Sequence, residues 1–371
     1  MPAELLPTFS ANLAVFLREG GDYFASTATP WQKEMLAGYR EAEKLAISIH
    51  HRSNIGQNRY VVAVVGLGNV GKSTLLNAIF GVDLAPKRNG PCTCLPIEFQ
   101  RTEGSDFAIE ALTDTTRFRR PKTRHPTAEA AQKRLQELAD EGGEKVGVFD
   151  KVIVKVPLPF ASPLLDRGVV IADTPGFGAT GANGQGARHE TLLSDYLTRE
   201  VSQVFWVVRA MQGIGKADKV FWSTVLQDRC HDLVVTAAED FDDRDKSRFR
   251  TRNVLEILGG PIGLRTHFLS GRDGWKARVE QNAQGLQSSG IAALVVRLSD
   301  FGDPKTRGEL LNSEFAALME DFTEWLGARQ KTKPPHEQLA VAAPLALSAF
   351  RQKLERQPEA ARYLFSSLLN F

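Results

Sequence analysis

The sequence predicts an α/β fold, in which a mostly parallel β-sheet is covered by helices and the two ends of the chain form a separate helical bundle. Two observations predict the sheet. A β-branched apolar run at Val61–Val65 precedes a glycine-rich loop and a helical pattern, and predicted helices and strands alternate from residue 190 onward. Such alternation is typical of βαβ units with parallel strands. A third observation, helical periodicity before residue 58 and after residue 303, predicts the bundle.

The N-terminal segment is predicted to contain a long helix that begins near Pro30. Thr29 and Gln32 have the spacing of a capping box, and proline suits the first helical position. Apolar residues then recur at helical spacing from Trp31 to Ile49. A single stripe of this kind most often packs against another helix.

The C-terminal segment carries a matching apolar stripe from Leu311 to Trp325. We expect Gly327–Glu337 to break this helix before a last helical pair at Leu345–Phe371. In the middle of the chain, the pattern predicts a helix at Ser247–Leu258. The predicted domains are an N-terminal helical segment (1–57), an α/β domain (58–303) and C-terminal helices (304–371) that pack with the first segment.

The composition is that of a globular protein that works in the cytoplasm. The 371 residues suffice for about two domains, and a net charge of +2 gives no general attraction to nucleic acid or anionic lipid. No apolar run approaches the roughly 18 residues that span a bilayer, so we expect any membrane contact to be peripheral. The start of the chain lacks the features of a signal peptide, which favours a cytoplasmic location.

The three cysteines are too few and too unevenly placed for a disulfide framework. Cys92 and Cys94, together with Cys230 and His231, suggest a zinc site as one interpretation. The CxC spacing differs from the usual CxxC of zinc ligands, which favours small, half-buried thiols instead.

The loop that follows Val65 matches the GxxxxGK[ST] phosphate-binding motif. Its glycines let backbone N–H groups converge on a phosphate at a helix N-terminus. Lys72 supplies a positive charge to the β- and γ-phosphates, and the Ser73 hydroxyl can ligate Mg²⁺. The motif therefore predicts a nucleoside triphosphate site formed by Gly66, Gly68, Asn69, Val70, Gly71, Lys72, Ser73 and Thr74.

Two further features are typical of a nucleotide switch. Asp173 and Gly176 belong to a DTPG turn at the end of a predicted strand, where a carboxylate can hold a Mg²⁺-bound water and a glycine N–H can sense the γ-phosphate. Thr93 lies in a polar loop, where a hydroxyl can close over Mg²⁺ and the γ-phosphate. The predicted metal ligands are Ser73, Thr93 and Asp173.

The residues from Arg117 to His125 form the one dense basic cluster. The cluster can bind phosphate groups of a lipid or a nucleic acid, or it can be a solvated insertion loop. The nearly neutral charge of the whole chain favours the insertion loop.

With these motifs in place, the sequence resembles the dynamin superfamily of GTPases, and in particular bacterial dynamin-like proteins. Thr93 follows Lys72 by 21 residues, which is similar to the interval in that family. Asp173 follows Ser73 by 100 residues, more than small Ras-like or Era-like GTPases allow. The run VIVKVPLPFASPLLDRGVVIADTPGFG is similar to the paired strands that lead into the family's third motif. The resemblance covers about Arg59–Asp303 and implies a dynamin-like GTPase domain with a helical neck.

The resemblance implies a switch that binds GTP and GDP with Mg²⁺, hydrolyses GTP, and moves its helical bundle when it dimerises. It implies a homodimer, or association with another dynamin-like GTPase, through the nucleotide face. Membrane-remodelling dynamins carry a long stalk and a lipid-binding module, for which residues 304–371 leave no room. We therefore expect action with a partner protein and no binding to nucleic acid.

The phosphate loop GLGNVGKSTLLNA is also similar to that of the Era and MnmE group, in which an asparagine at the place of Asn69 helps to hold a monovalent cation. Phe177 stands where Ras-like enzymes carry a glutamine that positions water. The resemblance therefore implies hydrolysis assisted by K⁺ or Na⁺ at Asn69. Lys72 would stabilise phosphate charge, and Thr93 and Gly176 would orient the water.

The motif that selects guanine departs from the family pattern [NT]-K-x-D. This chain reads TAAED from Thr236 to Asp240, so the lysine that stacks over the base is missing. The base-reading carboxylate is either Glu239 or Asp240, because the register of the motif is ambiguous. The last base-contacting loop resembles Leu269-Ser270-Gly271-Arg272, which adds Ser270 to the candidate site.

Two other functions remain open at the level of sequence. The Era-like loop and the basic cluster suggest a nucleotide-dependent switch on RNA or the ribosome, although no RNA-binding module is recognisable. The missing lysine of the base motif suggests a nucleotide-binding scaffold that does not hydrolyse GTP. Neither base specificity, nor the protein or membrane target, nor the oligomeric state follows from the sequence.

Overall fold

The computed structural model describes residues 5–25, 29–55, 59–86, 95–112, 122–144, 150–158, 160, 164–177, 193–226, 230–261 and 264–331. The chain divides into two compact units. The larger unit is Asn58–Asp303, and the smaller unit combines Met1–Gln57 with Pro304–Phe371. Within the described ranges, no helix has the length and apolar character needed to cross a membrane.

The described residues of the larger unit form a nine-stranded sheet with the order β4-β3-β5-β2-β6-β1-β7-β8-β9. Strand β1 lies in the middle, parallel to β6 on one side and β7 on the other. The pairs β2–β5, β7–β8 and β8–β9 are also parallel, whereas β2–β6, β3–β4 and β3–β5 are antiparallel. The strands are β1 (Tyr60–Val65), β2 (Ile97–Arg101), β3 (Phe107–Leu112), β4 (Thr123–His125), β5 (Lys151–Val156), β6 (Val169–Asp173), β7 (Gln203–Arg209), β8 (Cys230–Thr236) and β9 (Arg265–Phe268).

Helices cover this sheet, which confirms the predicted α/β fold class. All six residues of β1 are buried, as a parallel strand with helices on both faces requires. Helices α6 and α7 continue as π-helical segments, at Trp222–Leu226 and Arg250–Ile257. The helices are α3 (Lys72–Phe80), α4 (Ala128–Glu144), α5 (193–199), α6 (Lys216–Phe221), α7 (Asp243–Phe249), α8 (Gly271–Val279), α9 (Ala283–Ser288) and α10 (Ile291–Asp300), with a 3₁₀ turn at Asp166–Gly168.

The smaller unit packs three long helices, α1 (Leu6–Phe24), α2 (Pro30–Ile55) and α11 (Pro304–Lys331). The predicted capping box is present: the backbone N–H of Gln32 donates to Thr29 Oγ1, and that of Thr29 donates to Gln32 Oε1, each at 3.3 Å. The apolar stripes of the helices face one another in a common core that includes Leu13, Tyr39 and Phe322.

The bundle is tightly packed where two glycines face aromatic rings. A Cβ atom built on Gly38 would lie 2.1 Å from Cζ2 of Trp325, and one built on Gly20 would lie 2.2 Å from Cε1 of Tyr39. Because atoms cannot approach so closely, a larger residue at either position requires the facing ring or the helices to shift.

Three expectations from sequence need correction or lie outside the described residues. Helix α11 continues through Gly327 and ends at Lys331 within the predicted breaker Gly327–Glu337, of which residues 332–337 lie outside the described residues. Residues 123–125 of the basic cluster form edge strand β4 rather than a loop, whereas 117–121 lie outside the described residues. The final helical pair at 345–371 also lies outside them.

Candidate functional site

The phosphate-binding motif connects the C-terminal end of β1 to the N-terminus of α3. Gly71 has φ of +92° and Asn69 has φ of +62°, a left-handed conformation that glycine and asparagine adopt more readily than other residues. Gly66 lies against β7, where a Cβ atom would be 2.4 Å from the Val207 carbonyl oxygen. The glycines and asparagine of the motif therefore let the backbone fold into a tight loop over the helix N-terminus.

The Lys72 side chain lies inside the loop and is 8 % exposed. Its ammonium group donates to the carbonyl oxygens of Gly66, at 3.1 Å, and Leu67, at 2.9 Å. The loop thus holds a positive charge at the centre of a ring of backbone groups. A phosphate that enters the loop would meet this charge together with the N–H groups at the start of α3.

Ser73 and Asp173 are brought together, although 100 residues separate them in the chain. Strand β6 pairs with β1, and Asp173 at its end aligns with Val64. The Ser73 hydroxyl donates to Asp173 Oδ2 at 2.9 Å. Burial raises the pKa of Asp173 to about 6, and the nearby Lys72 charge and the Ser73 hydrogen bond oppose this rise only in part.

The second oxygen of Asp173 is the feature that best fits a metal site. Asp173 is fully buried, and its Oδ1 atom has no hydrogen-bond partner among the described residues. An unpartnered buried carboxylate oxygen is costly unless a ligand satisfies it. A hydroxyl and a carboxylate beside a phosphate site are the oxygen ligands that Mg²⁺ prefers, so these two residues fit the ion.

The turn that follows Asp173 is fixed against the phosphate loop. The Thr174 hydroxyl donates to the Val64 carbonyl oxygen at 2.8 Å. Gly176 contacts the loop so closely that a Cβ atom there would lie 2.8 Å from the Gly68 nitrogen. The backbone of Gly176 is thereby placed at the mouth of the loop, where its N–H can face a bound phosphate.

Phe177 is directed away from the mouth of the loop into the core. Its ring is 3 % exposed and stacks on Phe221 of α6, with the ring centroids 3.9 Å apart. A buried phenyl ring neither polarises nor orients water. Hydrolysis at this site would therefore depend on other groups, as the sequence predicts.

Thr93, Cys92 and Cys94 lie outside the described residues, so the geometry of the Thr93 switch stays a prediction. Among the described residues, no group of three or more His, Cys, Asp or Glu side chains could hold a metal ion. Cys230 is buried, and this burial raises the pKa of its thiol to about 12.

A cleft of about 280 Å³ lies beside the phosphate loop, at the position expected for the nucleobase of a bound nucleotide. The Thr236 hydroxyl lies 2.6 Å from the Val70 carbonyl oxygen and so connects the end of β8 to the loop. Both candidate carboxylates are at exposed positions, but Glu239 lines the cleft and Asp240 is not part of the lining. Ser270 also lines the cleft, and its side chain caps α8 by accepting from the Asp273 N–H at 3.1 Å.

Two arginines also line this cleft, of which Arg209 was missed by sequence reasoning and Arg272 belongs to the predicted base loop. Arg209 ends strand β7, and Arg272 lies in the first turn of α8. No sequence pattern indicates that Arg209 lies in this cleft, because it is the register between β7 and β8 that pairs Arg209 with Thr236. Arg272 was part of the predicted base loop, but nothing in that pattern indicated its approach to Glu239, at 3.6 Å.

Part of the chain is similar to a known protein family and to curated proteins. Residues 62–237 match the family model described as the Dynamin family. Clamp-binding protein CrfC of Escherichia coli is 36 % identical over 84 residues, which are 23 % of this chain and 11 % of that protein. Dynamin-related protein 3A of Arabidopsis thaliana is 24 % identical over 213 residues, which are 55 % of this chain and 26 % of that protein. The matches therefore cover only a minor part of either relative.

Two solved chains from an oligomerised bacterial dynamin pair, described as a mechanism for long-range sensing and tethering of membranes, are also similar. Their TM-scores are 0.46 and 0.47, with 15 % and 13 % sequence identity. The alignments cover 95 % and 98 % of this chain but 51 % and 63 % of those chains. The phosphate loop, Asp173 and Thr236 all lie within residues 62–237, the part of the chain that matches the Dynamin family model.

Proposed function

We propose that this chain is a dynamin-like switch that binds and hydrolyses GTP. The observation that carries the proposal is the group of three side chains under the phosphate loop. Lys72 lies inside the loop, and the Ser73 hydroxyl bonds to Asp173, whose second carboxylate oxygen has no partner among the described residues. A cation, a hydroxyl and a carboxylate in this arrangement suit a nucleoside triphosphate with a divalent metal.

Each residue has a definite part in phosphate binding. The N–H groups of the loop and of the start of α3 would hold the β-phosphate, and Lys72 would exchange its two carbonyl partners for phosphate oxygens. Ser73, Thr93 and Asp173 would hold Mg²⁺, which supplies neutralising charge at the β- and γ-phosphate oxygens. The ionised form of Asp173 is required for this role, and the positive charge of Mg²⁺ would favour that form.

Hydrolysis would proceed without a glutamine side chain that positions water. Asn69 is exposed, has a left-handed backbone and lines the cleft beside the loop, which supports a role for its amide. Its side-chain oxygen is suited to a potassium or sodium ion, which would add positive charge near the β- and γ-phosphates. The Gly176 N–H and Thr93 would orient the attacking water, while Lys72 stabilises the developing charge.

GTP would act as a switch by closing the Thr93 and Gly176 segments over its γ-phosphate. Closure would promote association across the nucleotide face, with a second copy or with another dynamin-like GTPase, and would move the helical bundle. Asn69 and Met211 support this use of the face, because both are exposed and follow neighbouring strands at the edge that carries the phosphate loop. We place the protein in the cytoplasm, with peripheral contact to membranes.

Nucleotide-dependent sedimentation tests binding, association and membrane contact together. The full chain would be analysed with GTP, GDP and a transition-state mimic, in the presence and absence of liposomes. Formation of a larger species with the mimic, but not with GDP, is the expected result. A chain that stays the same size in every state while it turns over GTP would exclude the dimerisation step.

A further inference from the structure

We propose that Arg209 supplies the cation over the nucleobase that the base motif of this chain lacks, while Glu239 reads the edge of guanine. The inference rests on the proposed function, because it assigns the base end of the same nucleotide site. It concerns a residue outside the motif, on the neighbouring strand β7.

The cleft beside the phosphate loop has the chemistry of a purine site. Its walls are the loop on one side, the segment after β8 on another and the start of α8 on the third, and its volume is about 280 Å³. The Glu239 carboxylate can accept two hydrogen bonds, which matches the adjacent N1–H and N2–H donors of guanine. Adenine presents an acceptor at N1 and so offers no such pair.

The position of the missing cation is occupied by a residue with almost no side chain. Ala237 follows Thr236, lines the cleft and has φ of +52°. A left-handed alanine is strained, and strained residues of this kind persist where the surrounding structure fixes the backbone. The surroundings therefore fix this turn, and at Ala237 the turn offers the cleft only a methyl group.

Arg209 is held directly beside this gap. It pairs with Thr236 in the register of β7 and β8, and the Ala210 N–H donates to the Thr236 carbonyl oxygen at 2.8 Å. The N–H groups of Gln212 and Gly213 both donate to the Arg209 carbonyl oxygen at 3.0 Å. The backbone of Arg209 is thus fixed, and this exposed residue lines the cleft.

Arg209, rather than Arg272, is available to contact the base. The Arg272 guanidinium already forms ion pairs with Glu239, at 3.6 Å, and Asp273, at 3.7 Å. The Arg209 guanidinium forms no ion pair with any residue that the structure describes. A guanidinium is planar and stacks on aromatic rings. It can therefore cover the face of a nucleobase better than the ammonium group of a lysine can.

Competitive displacement of a fluorescent N-methylanthraniloyl-GDP by GDP, IDP and ADP tests the assignment in the full chain. Arg209→Ala should weaken GDP and IDP binding equally, by roughly 3- to 30-fold, since stacking on a cation does not depend on the 2-amino group. Glu239→Gln should reduce the preference for GDP over ADP by about tenfold or more. Ala237→Lys, added to Arg209→Ala, should restore most of the lost GDP affinity.

Arg265→Ala, at an exposed position at the start of β9, is the matched control and should bind GDP as the wild type does. GDP affinity of Arg209→Ala equal to that of this control would overturn the assignment. A folded double variant that stays as weak as Arg209→Ala would overturn it as well. If the double variant does not fold, Arg209→Lys decides: retained GDP affinity supports a cation over the base, and a loss as large as that of alanine contradicts it.

Failure of the inference can be distinguished from failure of the proposed function. If wild-type protein binds GDP and Lys72→Ala does not, the nucleotide site stands whatever Arg209 does. If wild-type protein fails to bind N-methylanthraniloyl-GDP, the proposed function itself is wrong, and the inference falls with it.

Discussion

Replacement of Asp173 by asparagine should stabilise the nucleotide-free protein at neutral pH, even though it removes a predicted metal ligand. Asp173 is fully buried, and burial raises its pKa from 3.8 to about 6. A rise of roughly 2 pKa units corresponds to about 3 kcal/mol of preference for the neutral form. Asparagine is neutral at every pH and has nearly the same shape, so it can still accept from Ser73.

The sign of the pH dependence follows from the raised pKa. The stability that protonated Asp173 contributes is fully present below pH 3.8 and is lost as the pH rises through about 6. The difference between Asp173→Asn and the wild type should therefore be small near pH 4 and should grow to about 1–3 kcal/mol at pH 8. Chelator must be present throughout, because a bound metal would stabilise the wild-type carboxylate.

Urea unfolding, followed by tryptophan fluorescence at several pH values, measures this difference. Asp232→Asn provides the contrast, because burial is outweighed there by hydrogen bonds from His267 and Arg297, which lower the pKa of Asp232. That variant should lose stability at pH 8. The reasoning would be refuted if Asp173→Asn were less stable than the wild type in chelator, or if the difference did not change with pH.

Two further substitutions test the packing of the bundle and the base side of the site. Gly38→Ala should destabilise the protein by about 1–3 kcal/mol in thermal unfolding, because the new methyl group collides with the Trp325 ring. Thr236→Val removes the hydroxyl that lies 2.6 Å from the Val70 carbonyl oxygen, and it should weaken nucleotide binding roughly tenfold in a displacement assay.

Each of these substitutions has a matched control. The nearest atom to a Cβ built on Gly104 is 3.6 Å away, so Gly104→Ala should unfold with the wild-type midpoint. Thr236→Ser keeps the hydroxyl and should retain nucleotide affinity. Equal midpoints for the two glycine variants would contradict the close packing at Gly38, and equal weakening by valine and serine would contradict the role of the hydroxyl.

The sheet and the phosphate end of the site were predictable because their signals are local. The β-branched run at Val61–Val65 and the motif that ends in Ser73 specify a buried strand, a tight loop and a helix start within one short segment. Asp173 could be predicted as a site residue because it is a carboxylate at the end of a predicted strand.

The sequence predicted the bounds of helices and strands less well where the sequence pattern was short or contradictory. Helix α7 begins at Asp243 rather than Ser247, because the Asp242 side chain caps it by accepting from the Asp245 N–H at 2.8 Å. Strand β4 has three residues and no apolar run, and it exists because it pairs with the edge of β3. Gly327 does not end its helix, since packing within the bundle outweighs the low helix propensity of one glycine.

The base side of the site was beyond prediction for a different reason. Glu239 and Asp240 were equivalent in the sequence, and only the shape of the chain after β8 distinguishes them. The contribution of Arg209 depends on which residue of β7 lies beside Thr236, and sheet register is a tertiary property.

The central claim is that the Lys72 loop binds and hydrolyses GTP, and steady-state phosphate release tests it most directly. Wild-type protein in Mg²⁺ should release phosphate from GTP faster in potassium than in a buffer without a small monovalent cation, and it should act poorly on ATP. Lys72→Ala should lower the rate at least tenfold, because the loop then lacks its cation. Equal phosphate release by wild-type and Lys72→Ala protein would contradict the account.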